Sequence, residues 1–170
     1  DSPRTVTANE IEYDRGKNLV TASGNVDAVD RAESTRVRAG KIRYDRRRDY
    51  AWATEAPVLT LEESGGKSTE VRGLTLEFDN AKRRVFALGD VRIEGGLVTY
   101  DDRTSGVLRR AEDINLAIAQ AGAEQPVTLD GKLTMEGKRA TLAGTVARPS
   151  GVAAGGASPV EIELRVPGGA

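Results

Sequence analysis

The chain has no cysteine and no histidine among its 170 residues. Their absence excludes thiol nucleophiles, a His-based relay and the usual zinc sites. It also leaves the redox compartment unread, because a protein without disulfides can work in any of them. Aromatic residues are scarce, with two Phe, four Tyr and one Trp. Neither sign of charge prevails, at 25 basic against 26 acidic residues. The balance holds locally too, 17 against 17 over residues 1–94 and 8 against 9 over residues 95–170. Neither half is therefore a basic nucleic-acid surface or an acidic tail, and no nucleic-acid partner is expected. No apolar run approaches the roughly 20 residues of a membrane-spanning helix. No signal peptide is visible from Asp1 onwards, which leaves a removed leader or anchor upstream open.

What is present is a unit written three times. Its copies are Val6, Ala8, Ile11, Tyr13, Asp14, Ala22; then Val37, Ala39, Ile42, Tyr44, Asp45, Ala53; then Val71, Gly73, Leu76, Phe78, Asp79, Ala87. The aromatics are 31 and then 34 residues apart. Self-similarity at such a period marks a chain that stacks one supersecondary unit.

The periodicity within the units is two. Val20, Ala22, Gly24, Val26 and Ala28 alternate with mostly polar residues, as do Val85, Ala87, Gly89, Val91 and Ile93. Further on, Ile114, Leu116 and Ile118 alternate, then Val127, Leu129, Gly131, Leu133 and Met135, then Val160, Ile162, Leu164 and Val166. Such alternation puts one side of a strand on an apolar interior and the other on water. No segment makes a convincing amphipathic helix. The Asp after each aromatic suits the first position of a turn, where its carboxylate accepts a backbone N–H. Within each unit the apolar parity slips, between Val6/Ala8 and Ile11/Tyr13 and at the matching places. One extra residue there, a β-bulge, would bring both pairs to one face and bend every strand alike. The expected fold is all-β: a curved antiparallel β-jellyroll, or taco-like groove, with little or no helix. Its inward residues are small. Either the walls approach closely, or the space holds something apolar that is not protein.

The segment EIEYDRGKNLVTASGNV at 10–26, continued at 39–94, resembles the repeat of periplasmic lipopolysaccharide-transport (LptA/OstA-like) proteins. Gly24-Asn25-Val26 and Gly89-Asp90-Val91 match the repeat's ending, and Glu55-Ala56-Pro57 departs from it. Pro57 lacks an N–H and should sit at an edge or strand end. GLVTYDDRTSGVLRRAEDINLAIAQ at 96–120 and the strands at 127–164 are similar to AsmA-like envelope proteins. The expected division is thus an LptA/OstA-like region over 1–94 and an AsmA-like region over 95–170 that continues the groove. Both resemblances imply a non-catalytic lipid-shielding module in the Gram-negative periplasm, with or without an N-terminal anchor. The implied partners are acyl chains of lipopolysaccharide or phospholipid, and a neighbouring β-jellyroll protein or a second copy stacked by its strand edge.

The candidate groove lining is Val6, Ala8, Ile11, Tyr13, Val20, Ala22, Gly24, Val26, Val37, Ala39, Ile42, Tyr44, Ala53, Leu76, Phe78, Val85, Ala87, Val91, Ile93, Ile114, Leu116, Leu129, Leu133, Leu142, Ile162 and Leu164. Arg36, Arg38, Lys41 and Arg43 are either rim partners for phosphate or the solvent face of a strand. Other signals are weak. Ser64 to Thr69 mimics the end of a P-loop, but its upstream Gly is replaced by Leu61. Asp101-Asp102 are adjacent on a strand and so face opposite ways. Trp52 reads as a surface aromatic or as an edge contact to a neighbouring subunit. No carboxylate pair or nucleophile is set for catalysis, and no cofactor or metal is expected. The competing reading is a self-assembling β-stack with a dry core and no lipid.

Overall fold

The computed structural model describes residues 4–63, 66–102, 107–120, 125–147 and 159–167. They form strands, turns and loops, with no helix among the described residues. Two compact units divide the chain, Asp1–Val91 and Arg92–Ala170.

The first unit contains β1 (Arg4–Thr7), β2 (Glu10–Asp14), β3 (Leu19–Asp30), β4 (Thr35–Asp45), β5 (Tyr50–Thr54), β6 (Val58–Glu62), β7 (Ser68–Arg72), β8 (Thr75–Asp79) and β9 (Arg84–Leu88). All the pairings described are antiparallel. The long strands β3 and β4 each serve two wings. In the wider wing the order is β2, the start of β3, the end of β4, β5, β8, β9. In the narrower wing it is β1, the end of β3, the start of β4, β6, β7.

The wings meet along a line of corners, and the register shows how each corner is made. Ser23 pairs with Lys41 and Asp27 with Arg38, so residues 24–26 oppose only 39–40. Thr54 pairs with Lys41 and Val58 with Arg38, so 55–57 oppose the same two residues. The extra residue therefore lies in the returning strands. The sequence reading put it in the outgoing ones. What the outgoing strands carry is the parity slip, at Asn9, Gly40 and Leu74. Each returning strand turns its corner with two consecutive left-handed residues: Gly24 and Asn25 at φ 73° and 49°, Glu55 and Ala56 at 62° and 57°, Gly89 and Asp90 at 69° and 43°. Glycine and asparagine suit this region, whereas Glu and Ala do not. Backbone bonds cross the corners from Asn9 N–H to Gly24 O at 2.9 Å, and from Gly40 N–H to Glu55 O at 2.8 Å. Pro57 stands at the strand end just before β6, buried and needing no donor.

The repeated aspartates close the turns as expected. Asp14 accepts from the Lys17 N–H at 3.1 Å, Asp45 from Arg47 and Arg48 at 2.9 and 3.2 Å, and Asp79 from Lys82 at 3.1 Å. Asp30 does the same for Ala32 and Glu33 at the tip of the narrower wing, at 3.0 and 3.2 Å. The turns of the wider wing also join each other. The Arg46 N–H donates to Asn18 O at 3.0 Å and the Asn80 N–H to Asp49 O at 3.1 Å.

On the outer face of the narrower wing, Arg36 grips Asp27 through Nε at 2.8 Å, and Arg38 lies 4.0 Å from Glu70. These arginines are the paired solvent face of a strand. Outside the wider wing, Trp52 is half-buried and tilts on Tyr50 at 4.8 Å, and the Arg48 guanidinium lies over both rings.

The hydrogen bond from Arg36 holds the Asp27 carboxyl below the usual carboxylate range, and that from Arg4 does so for Asp30. Each folded-state value is depressed, so the stabilisation is complete above the unfolded value of about 3.9 and is lost as pH falls through the folded value. Stability of the first unit should therefore be flat from neutrality to about pH 5 and decline steeply below pH 4. Asp27→Asn should flatten that decline in urea titrations run at successive pH values.

The second unit is a meander of β10 (Val91–Asp102), β11 (Val107–Gln120), β12 (Val127–Met135), β13 (Lys138–Val146) and β14 (Val160–Arg165). Its registered rows interleave leucine or isoleucine with glycine: Leu116, Gly131, Leu142, Leu164, and next to it Ile118, Leu129, Gly144, Ile162. A Cβ on Gly131 would stand 3.0 Å from the Leu116 side chain, so the bulky residues lie over the bare backbone beside them. A bulge between Glu112 and Asn115 interrupts β11, with Asp113 left-handed at φ 52°. The Asp101 and Asp102 side chains, and Ser64 and Gly65, lie outside what is described, as does the Pro-containing segment 148–158. Ser68 and Thr69 belong to β7 and pair with Glu62 and Leu61 of β6.

Candidate apolar cavity

The registered rows of the first unit build the cavity wall. In the wider wing, Ile11, Ala22, Ile42, Ala53, Leu76 and Ala87 share one row. The next row towards the tip is Tyr13, Val20, Tyr44, Ala51, Phe78 and Val85. In the narrower wing, Val6, Ala28, Val37, Leu59 and Val71 face them.

Packing along these rows is uneven. Ala39, Ala53, Leu59 and Leu76 form a dry core, with Val37, Ile42, Leu61, Val71, Phe78 and Ala87 packed on it. Ala53 and Leu76 are wholly inaccessible and Val26 nearly so. Beside this core the wings separate around an open cavity of about 710 Å³. The small residues thus let the walls approach in one place, and an open space lies beside them. Alanines at the corner line and in the core let the wings close, and space opens between Val6, Ile11 and Val20 on one side and Phe78 and Val85 on the other. Val6 and Ile11 are about half exposed, as open walls require.

Of the residues expected to line a groove, Val6, Ile11, Val20, Ala22, Val37, Ile42, Tyr44, Phe78 and Val85 line this cavity. Val26, Ala39, Ala53 and Leu76 are buried beneath or beside it, and Ala87 packs on the core. Ala8 precedes the corner residue Asn9. Gly24 is a correction: it lies in the left-handed corner, where a Cβ would fall 2.6 Å from the Asn9 side chain. Tyr13 is a second, because it is exposed at the wing tip under the Arg46 guanidinium, 5.6 Å from its ring. Ala28, Val29, Ala51, Leu59 and Leu61 also line the cavity and were missed. The alternation of Ala51 with Ala53, and of Leu59 with Leu61, carried that signal.

In the second unit, Leu116, Leu129, Leu133 and Leu142 are half-buried on one face with Ile114, and Ile93 is half-buried as well. Val91, the last residue of the first unit, is also half-buried. Ile162 and Leu164 share the Gly-containing rows but stand exposed on β14.

Polar groups ring the mouth: Arg4, Asp30, Glu33, Asp79, Asn80, Arg83 and Arg84. Arg4 Nε donates to Asp30 at 2.6 Å within the narrower wing's lip. On the wider wing's lip, the Tyr44 hydroxyl donates to Asp49 at 2.8 Å and Asn80 Nδ2 donates to the same carboxylate at 3.1 Å. Burial, then the bond to Asp49, raises the Tyr44 pKa, so the phenol stays a neutral donor. Across the mouth, Arg83 Nη2 donates to both Glu33 carboxylate oxygens, at 2.8 and 2.9 Å. The basic rim thus differs from the one considered from sequence, since Arg36 and Arg38 lie outside. Among the described residues, no group of three or more Asp and Glu side chains is placed to hold a metal ion.

The arrangement can enclose an apolar chain and leave its polar end at the lips. No protein-family model matches the sequence, and no curated protein matches it. The chain is similar to a solved crystal structure, that of LptH from Pseudomonas aeruginosa. LptH is described as the LptA homologous periplasmic component of the conserved lipopolysaccharide transport device. Identity is 14% and the TM-score 0.43, over 96% of this chain and 95% of that one.

Proposed function

We propose that this protein is a non-catalytic lipid-shielding module that works in the periplasm and carries acyl chains of lipopolysaccharide or phospholipid in the opening of its first unit. The observation that carries the reading is the open, apolar cavity of about 710 Å³, walled by Val, Ala, Ile, Leu and Phe and ringed by charge. Each methylene moved from water into such a site contributes roughly 0.8 kcal/mol, so an acyl chain needs no specific contact to be held. Under the same reading, the apolar face over 95–170 extends the shielded surface. A free strand edge supplies the means of stacking on a neighbouring β-protein or a second copy.

Purified protein extracted with organic solvent should release lipid in stoichiometric amount, detected by mass spectrometry. Ala28, half-buried in the cavity wall, offers a test by filling. Ala28→Trp should weaken binding of an anthroyloxy-labelled stearate about tenfold, the equivalent of roughly two methylenes kept in water, with the denaturation midpoint little changed. A clean extract and no probe binding by the parent protein would sink the lipid reading in favour of a dry β-stack.

A further inference from the structure

We infer that Arg83 is an exchange site for an acidic headgroup, held shut by Glu33. The inference rests on the lipid-shielding reading and concerns the polar end of the ligand.

Glu33 sits in the β3–β4 turn at the tip of one wing, and Arg83 in the β8–β9 turn at the tip of the other, 50 residues apart in sequence. Both border the cavity. Their two hydrogen bonds, at 2.8 and 2.9 Å, tie one lip to the other across the mouth. The residues are presented by fixed turns. Asp30 accepts from the Glu33 N–H, and Asp79 from the Lys82 N–H beside Arg83. Arg83 itself is left-handed at φ 53°.

Two properties make this pair an exchangeable one. A guanidinium presents a planar fork that fits any oxyanion, carboxylate or phosphate alike. And the pair is water-exposed, with side chains 77% and 52% accessible, so little holds it closed. An amphiphile whose chain lies in the cavity brings its headgroup to this rim. If that headgroup is an oxyanion it can replace the Glu33 carboxylate on Arg83, and the lips part. A neutral headgroup has nothing to offer the fork. Glu33 is thus an internal stand-in for the ligand's acid.

The test compares lysophosphatidic acid with a monoacylglycerol of the same chain, each displacing anthroyloxy-stearate from the whole protein. The acid should bind more tightly than the neutral lipid. Arg83→Met should erase most of that preference, a loss of roughly three- to tenfold for the acid alone, as expected of a partly screened charged hydrogen bond. Glu33→Gln should instead tighten the acid by about two- to fivefold, by removing its competitor. Spin labels at Ala32→Cys and Ala81→Cys, in a chain with no cysteine of its own, should move apart when lysophosphatidic acid is added and stay put with the monoacylglycerol. Equal binding of the two lipids, unmoved by Arg83→Met, would overturn the exchange and leave the cavity reading intact. Binding of neither lipid would overturn both. A label distance that ignores the acid would overturn the opening of the lips.

Discussion

Leu76→Ala should destabilise the first unit by about 2–5 kcal/mol, at the upper end of what single core truncations cost. Leu76 is wholly inaccessible and lies in the dry core with Ala39, Ala53 and Leu59. Its registered neighbours are Ala53 on β5 and Ala87 on β9. Alanine methyl groups are too short to reach into the hole, so the cavity persists and the cost includes its lining. Trp52 reports the event without a label, because it is the chain's one tryptophan and pairs with Glu77, the residue after Leu76. The urea midpoint of its fluorescence should fall with little change in slope. Leu164→Ala, on the exposed edge strand, should stay within about 0.5 kcal/mol of the parent. A midpoint for Leu76→Ala equal to the parent's would mean that the core is not where the packing places it.

Substitutions at the corners should act with opposite signs. Gly24→Ala puts a side chain where φ is 73° and where a Cβ would lie 2.6 to 3.0 Å from Asn9. Left-handed alanine costs about 1–2 kcal/mol, the overlap adds about 1–3, and the stiffer unfolded chain returns less than 1. A net loss of about 2–4 kcal/mol follows. Ala56→Gly makes the reverse change in the second corner, where Ala56 already sits at φ 57°. It should stabilise by roughly 0.5–1 kcal/mol once the unfolded-state term is set against the relief. Thermal unfolding of the two variants beside the parent should bracket it from below and above. Two shifts of the same sign would contradict the left-handed assignment.

Strand existence, the turns and the bending of each unit were legible because each rests on local chemistry. Period-two alternation, an Asp at the head of a turn and a parity slip can all be read from neighbouring residues. The cavity was legible only in part. Val20, Ile42 and Phe78 were found because alternation names the inward face. That same alternation names Ala53 and Leu76, which are in the dry core instead. Depth along a row depends on how far apart the wings stand, which is set by residues on the opposite wing, such as Leu59 and Leu61. Gly24 misled for another reason. Its parity agrees with Ala22 and Val26, and only its left-handed φ, enforced by the extra residue in the returning strand, takes it out of the wall. The latch across the mouth left no sequence signal at all, since Glu33 and Arg83 stand in unrelated turns.

The count of residues at each corner also governs which changes of length the chain tolerates. The turns at 14–18, 45–49 and 79–83 project beyond the wing tips, so one may grow or shrink without altering what its strands present. A corner has no such slack. Removing Gly40 alone would restore even spacing between Ala39 and Ile42. It would also remove the Gly40 N–H that donates to Glu55 O and leave Ala39 alone opposite 24–26 and 55–57, so the strand pairs on the two sides of the corner could no longer form together. In a lineage of such chains, insertions should therefore collect at the tips and be nearly absent from the fold line, even where the residues along that line differ.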